Sequence, residues 1–289
     1  MLACMLSGED ATGTALRVAA IQMNSHDDVA RNLAEAEHWV ERAARAGAEL
    51  VVLPEGFSFL GPEKEKAHHA ERLDDERAPM QGAVKEWARR HRVTIVAGGL
   101  PEASSDPARP YNSSVVFGPD GQLRAVYRKI HLFDVDLADG TSLRESDGTT
   151  PGNDPIVTDV GGFGVGLTIC YDVRFPELYR ALVDRGASVL TVPAAFTLHT
   201  GRDHWHLLLR ARAVESQCWV VAAAQWGVHS RGGEPSKRVS FGHSLIVDPW
   251  GTVVADCSDG PGFVLAEVTS ARVERVRSSV PALRHRRLG

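Results

Sequence analysis

Cys170 stands where an apolar run, residues 163–169, gives way to the polar stretch Tyr171-Asp172-Val173-Arg174 and then to Pro176-Glu177. The run reads as a buried strand, and a proline suits the first turn of a helix over residues 177–184. A thiol at the carboxyl end of such a strand lies where open α/β sheets hold their ligands. A buried, inert cysteine would fit the same pattern. Two further residues shift the balance. Glu55 directly follows another buried run, Leu50-Val51-Val52-Leu53-Pro54, and precedes a glycine, while Lys129 ends a hairpin strand in Tyr127-Arg128-Lys129-Ile130-His131-Leu132-Phe133. Alone, each reads as a loop acid or a surface lysine; together with the thiol they form a coherent set. A thiol with an ordinary pKa of about 8.5 needs a base or a nearby cation to attack at neutral pH. Glu55 would supply the base, with burial raising its pKa toward the working range. Lys129 would supply a fixed cation that favours thiolate and stabilises a tetrahedral oxyanion, and the Tyr171 backbone N–H, immediately after the thiol, is a natural second donor.

These residues need elements to position them, and the periodicity of the chain describes a set. Strands are expected over residues 17–23, 50–53 and 93–98. Helices fall between them: one is capped by Asp27 or Asp28, runs through Ala46 and is stopped by Gly47, and the other covers residues 78–91. A hairpin over 113–117 and 122–127 turns at Gly118-Pro119-Asp120-Gly121. The second half repeats the order, with a strand over 163–170, a helix over 177–184 stopped by Gly186, a strand over 188–192, a helix over 203–217 and a strand over 219–224. A hairpin over 244–247 and 252–255, turning at Asp248-Pro249-Trp250-Gly251, closes it. This β-α-β-α-β-hairpin repeat predicts an α/β fold with mostly parallel central strands and antiparallel edges. No low-complexity linker separates the halves, so a single domain over residues 16–289 is expected after a disordered leader over residues 1–15.

Composition narrows the function classes. The chain of 289 residues is 43% hydrophobic and 24% charged, as soluble globular proteins are. A net charge of −5 and a pI near 6.2 argue against nucleic acid or a membrane surface as partner; Arg284-His285-Arg286-Arg287 is a small basic exception. No run approaches the ~20 apolar residues that span a bilayer, and Met1 to Thr14 lacks the basic region of a signal peptide. Cys4, Cys170, Cys218 and Cys257 are scattered without a CxxC pair, which fits reduced thiols in a cytoplasm.

The stretches LPEGF, YRKIHLFD and CYDVRFPELYR resemble, in order, spacing and flanking residues, the three catalytic blocks of the nitrilase, or carbon–nitrogen hydrolase, superfamily. The resemblance extends from about Leu16 to Arg287. It implies a four-layer α-β-β-α sandwich with Glu55 as general base, Lys129 as oxyanion stabiliser and Cys170 as nucleophile. It further implies that Glu145, in Leu143-Arg144-Glu145-Ser146, is a second, positioning glutamate; that no cofactor or metal is used; and that the chain forms a homodimer. PAAFT (193–197), LLRARAVESQ (208–217), VVAAAQ (220–225) and GHSLIVDPWG (242–251) are similar to the Nit branch, which includes deaminated glutathione amidase and ω-amidase. That branch implies an amidase for a small carboxylate-bearing substrate, with deaminated glutathione first in line and N-carbamoyl amino acids or nitriles as alternatives. Arg144, Arg174, Phe196 and Thr197 are the expected substrate contacts, the arginines because their fork geometry suits a carboxylate; structural ion pairing of Arg174 with Asp172 or Glu177 is the competing reading.

One departure stands out. Where the branch usually has a glutamate after His-Trp, Thr200-Gly201-Arg202-Asp203-His204-Trp205 is followed here by His206. His199, His204 and His206 invite a metal reading, yet residues 204 and 206 point to different faces of one helix and no acid or Cys is expected to complete a ligand set. A Cys–His peptidase would need His131 or His243 as base, and neither falls in a motif of that type. A redox-sensing or interaction protein on the same fold is the non-enzymatic alternative. For the dimer, the helix from Glu177 offers Leu178, Tyr179, Leu182 and Val183, a broader apolar surface than one sheet face needs.

Overall fold

Two six-stranded sheets carry the fold of this computed structural model, which describes residues 13–136 and 142–288. The first half contains β1 (Ala15–Gln22), α1 (Val29–Arg45), β2 (Leu50–Leu53), α2 (Pro79–His91), β3 (Thr94–Glu102), β4 (Tyr111–Phe117) and β5 (Leu123–Arg128). A short hairpin, β6 (Asp134–Asp136) with β7 (Ser142–Arg144), leads to the second half. There follow β8 (Val157–Val160), β9 (Phe163–Leu167), α3 (Pro176–Asp184), β10 (Val189–Thr191), α4 (Leu198–Ser216) and β11 (Trp219–Ala222). The chain continues through β12 (Trp226–Arg231), β13 (Glu234–Phe241), β14 (Leu245–Val247), β15 (Val253–Asp256), β16 (Gly262–Thr269) and α5 (Ser270–Ser279).

The sheet orders are β16-β1-β2-β3-β4-β5 and β15-β14-β11-β10-β9-β8. In each, three parallel strands (β1-β2-β3; β9-β10-β11) are followed by an antiparallel hairpin and flanked on the other side by one antiparallel strand. The expected repeat is therefore present. Burial explains why its strands look alike in sequence. Leu16, Val18, Ala20, Leu50 and Val52 share one core with β9, β10 and β11, whereas Ala19, Ile21, Val51 and Leu53 pack with Ala36, Val40 and Ala43 of α1. A strand buried on both faces shows a continuous apolar run instead of alternation. Helices outside, sheets face to face inside: this is the four-layer α-β-β-α sandwich.

Local chemistry sets the helix ends. Asp28 caps α1 by accepting from the Arg31 N–H, and Gly47, at φ +93°, takes the left-handed position after it. Helix α4 starts earlier than the expected residue 203, because the Thr197 side chain accepts from the Thr200 N–H and caps a turn that the apolar spacing does not reveal. Strand β9 ends at Leu167, short of residue 170, since Cys170 has a positive φ of 48° and opens a turn. The leader lies outside the described residues apart from Gly13, Thr14 and Ala15, and Ala15 already opens β1. No helix of the described chain is long and apolar enough to cross a membrane. On α3, Leu178, Tyr179 and Leu182 are buried in the core and Val183 packs against it, so these four side chains serve their own sheet and leave no spare apolar face.

Candidate active site

Glu55, Lys129, Cys170 and Glu145 meet just beyond the carboxyl ends of four strands, two parallel and two antiparallel. Glu55 follows β2, Lys129 follows β5, Glu145 follows β7 and Cys170 lies beyond β9. All four are buried. The Lys129 ammonium donates to Glu55 Oε1 at 2.9 Å and to Glu145 Oε2 at 2.7 Å. Asn112, at the start of β4, bridges the same two carboxylates, its Nδ2 donating to Glu55 Oε1 and to Glu145 Oε1, both at 3.0 Å. The remaining Glu55 oxygen accepts from the Ala195 N–H at 3.0 Å, and Glu145 Oε2 also accepts from the Phe133 N–H at 2.8 Å. The Cys170 thiol is near enough to the Glu55 carboxylate for each to shift the other's pKa.

The Cys170 turn is held by a carboxylate. Asp172 Oδ2 accepts from the Ile169 N–H (2.8 Å) and the Tyr127 hydroxyl (2.7 Å), and Oδ1 accepts from the His131 N–H (3.1 Å) and contacts His131 Nδ1 at 2.8 Å. His131 in turn stacks on Phe175, with ring centroids 3.7 Å apart. Asp172 thus locks the Cys170 turn to the segment 127–131 that delivers Lys129. The Cys170 N–H donates to the Pro193 carbonyl at 2.8 Å, and Pro193 lies against Gly98, where an added Cβ would come within 2.1 Å of it. Tyr171 occupies the first turn after the thiol, where backbone N–H groups are not consumed by the turn itself, and its ring meets Phe133 and Phe175 edge-on. On the far side of Glu55, Gln225 donates from Nε2 to the Glu55 carbonyl at 3.1 Å.

Protonation states follow from this wiring, and two run opposite to the sequence expectation. Burial alone would raise the Glu55 carboxyl, but the Lys129 ammonium and the hydrogen bonds it receives hold it below its usual value. Burial first, and the Glu55 charge second, push the Cys170 thiol well up; Lys129 does not offset them, because two carboxylates already surround it. Burial would strip Lys129 of its proton, yet Glu145 and Glu55 keep its pKa well above normal. Glu145, although buried, is lowered to about 2 by Lys129 and, further off, Lys66. The resting site is therefore thiol, carboxylate, ammonium, carboxylate.

The four groups line a cavity of about 530 Å³. Phe59, Leu60, Phe133 and Leu198 form apolar wall, and Lys66, Arg202, Lys237 and Arg238 add positive charge. Of the expected substrate contacts, Thr197 and Arg144 line this cavity, Arg144 with its guanidinium on Asp136 at 2.8 Å. Arg174 and Phe196 are not on the lining: the Arg174 guanidinium lies 5.3 Å from the Phe196 ring centroid and 5.9 Å from that of Tyr171, and Nη2 is 3.3 Å from His204 Nδ1. Its ion pairing with Asp172 does not form, since Asp172 is taken up by Tyr127, His131 and Ile169. The three clustered histidines part company. His199 lines the cavity, His204 meets Arg174, and His206 contacts Asp256. Neither His131 nor His243 lines the cavity that holds Cys170. Sequence reading missed Asn112 and Asp172; a polar residue opening an otherwise apolar strand, and an acid two places after the thiol, were the available signals.

A buried Glu-Lys-Cys cluster with a second glutamate, on paired sheets of this order, defines the carbon–nitrogen hydrolase class. The carbon-nitrogen hydrolase family model matches residues 17–278, and the chain belongs to that family. It is 45% identical over 271 residues to a deaminated glutathione amidase of Synechocystis sp., covering 93% of this chain and 97% of that protein. Among solved structures, Nit3 of Saccharomyces cerevisiae, described as a member of branch 10 of the nitrilase superfamily, superposes with a TM-score of 0.84 at 31% identity, over 95% of this chain and 97% of that one. An amidase from Nesterenkonia sp. AN1, solved as a variant with the acetamide moiety of fluoroacetamide added covalently at its active-site cysteine, matches with a TM-score of 0.78 at 27% identity, over 97% of each chain.

Proposed function

We propose that this carbon–nitrogen hydrolase is an amidase that cleaves the C–N bond of a small carboxylate-bearing amide through a thioester on Cys170. The observation that carries the reading is the Glu55 carboxylate, held ionised by Lys129 and lining the same cavity as the Cys170 thiol. As Sγ attacks the amide carbon, its proton passes to Glu55, and the carbonyl oxygen becomes an oxyanion stabilised by the Lys129 ammonium and the Tyr171 N–H. Glu55 then gives that proton to the departing nitrogen, which leaves as amine or ammonia. Water, deprotonated by Glu55, attacks the thioester; the acid is released and the thiol regains its proton. Glu145 and Asn112 keep Lys129 and Glu55 in register.

Deaminated glutathione is the leading substrate, supported by the name of the Synechocystis relative and by the cations Arg202, Lys237 and Arg238 on the cavity lining; Lys66, also there, is paired with Glu63 at 2.6 Å. Rates with deaminated glutathione, α-ketoglutaramate, N-carbamoyl amino acids and simple nitriles, with products identified by mass, test it. Turnover confined to N-carbamoyl compounds or nitriles would overturn the amide assignment, and no turnover of any would favour a non-catalytic role. We also propose a homodimer working in a reducing compartment. Exposed Leu207, Val214 and Trp250 support the first, and the free thiols of Cys170, Cys218 and Cys257 support the second.

A further inference from the structure

His206, His243 and Asp256 converge on one spot although the chain brings them from α4, from the connection between β13 and β14, and from the end of β15. His206 Nε2 lies 2.8 Å from Asp256 Oδ2, His243 Nδ1 lies 3.3 Å from Asp256 Oδ1, and one ligand atom from each of the three falls within 4.8 Å of the others. Ligand atoms on a tetrahedral zinc ion stand about 3.4 Å apart, given bond lengths of about 2.0–2.1 Å. The observed distances, 2.8 Å, 3.3 Å and at most 4.8 Å, bracket that value, and the side chains, 36%, 30% and 37% exposed, can be reached from solvent. We propose that these three residues bind a divalent transition-metal cation, zinc by preference, with water in the fourth position.

The donor set argues for that class of ion. Two imidazoles and one carboxylate suit zinc and its first-row neighbours, whereas magnesium and calcium select oxygen. The surroundings add a second, independent argument. His243 has a φ of +57°, a conformation uncommon outside glycine and held only where the structure imposes it. Its carbonyl accepts from Trp205 Nε1 at 2.8 Å, so the residue preceding His206 on α4 fixes the backbone that presents the second imidazole. Phe241, with its ring 4.6 Å from His243 and 6.2 Å from His206, supplies an apolar wall of the kind that shelters metal sites. The acid that sequence spacing could not supply to His206 comes from 50 residues away. None of the three lines the catalytic cavity, so the ion would be structural, tying α4 to the β14–β15 hairpin. The first turns of α4 carry the cavity residues Leu198, His199 and Arg202, with Arg202 one turn before His206.

The test uses the full chain with Cys170→Ala, which removes a competing thiol, stripped of metal by chelation and dialysis. Calorimetric titration with Zn²⁺ should give one ion per chain, and bound ion should raise Tm because it binds only the folded state. Co²⁺ should give the intense visible bands of tetrahedral nitrogen and oxygen coordination. His206→Gln and Asp256→Asn, both at half-exposed positions and checked by circular dichroism, should each weaken binding about tenfold or more. The proposal fails if no stoichiometric binding occurs, if affinity survives both substitutions, or if the Co²⁺ spectrum shows a thiolate charge-transfer band that makes Cys257 the ligand. The Co²⁺ spectrum is read on the unsubstituted site, so it remains decisive even if a variant misfolds.

Discussion

The Cys170 thiol is protonated in the resting site, so the proposed mechanism requires Glu55 to be ionised when substrate arrives. Because Lys129 holds the Glu55 carboxyl below its usual value, the acid limb of kcat/KM is expected below the ordinary glutamate range of about 4.3. Lys129→Met should do two things at once. It removes an oxyanion donor, which typically lowers kcat by about 10²–10³, and it leaves burial unopposed, so the acid limb of the residual activity moves to higher pH. A steady-state pH profile in which the limb stays put would break the link between Lys129 and Glu55. Cys170→Ala should abolish turnover while circular dichroism stays native. Glu145 gives a stability prediction with a definite sign. Its folded-state pKa is lowered from 4.5 to about 2, so it contributes stability above the unfolded value that is lost as pH falls through that window. Glu145→Gln should be less stable at neutral pH and flatter in Tm from pH 4.5 down to 2. At this scale the identities of Glu55, Lys129, Cys170 and Glu145 were legible, since each follows a strand in a recognisable block. Their protonation was not, because nothing local tells that one lysine is shared by two buried carboxylates.

Among the elements, the turn after β9 is the most sensitive. Asp172 gathers Ile169, Tyr127 and His131 onto one carboxylate, and Asp172→Ala would strand buried donors at about 1–3 kcal/mol each. Tm should fall by several degrees and kcat with it, although no reacting atom is touched; Tyr127→Phe, which removes one of the three donors to Asp172 and the acceptor of the Ile130 N–H, should cost less in both. Gly98→Ala probes the seam between the sheets. A Cβ 2.1 Å from the Pro193 ring must displace the residue whose carbonyl takes the Cys170 N–H. Overpacking of that kind costs about 1–3 kcal/mol, and kcat should drop more than KM rises. The central strands, their helices and the two hairpins were readable from periodicity, but β8, the β12–β13 pair and α5 were not, and β3 and α4 proved longer than expected. Backbone pairing through a bulge at Gly98–Gly99 and a threonine cap at Thr197 extend them, and neither shows in apolar spacing.

For the molecule as a whole, the repeat predicted two like halves, and the sheets bear it out. Not foreseen were β16 and the partner it chooses, because register with a strand some 250 residues earlier is not written in local alternation. Nor does the expected dimer surface on α3 survive: Leu178→Asp would now disrupt the core. Exposed apolar side chains occur on several elements, among them α4 and the turn between β14 and β15, where Leu207 is 67% and Trp250 55% exposed. Leu207→Asp with Trp250→Asp should give monomers by light scattering without loss of Tm; a wild type that is already monomeric at micromolar concentration and fully active would sink the dimer.

The placement of β16 has a consequence for synthesis. All of the second sheet emerges from the ribosome before the strand that completes the first, for β16 pairs antiparallel with β1 along eight residues, from Ala15↔Thr269 to Gln22↔Gly262. Until then the growing chain carries β1 with one row of backbone donors and acceptors unpaired, an edge open to any passing strand. Released chains truncated after residue 261 should accordingly bind chaperones and stay open to protease, whereas chains that include residues 262–269 should be resistant.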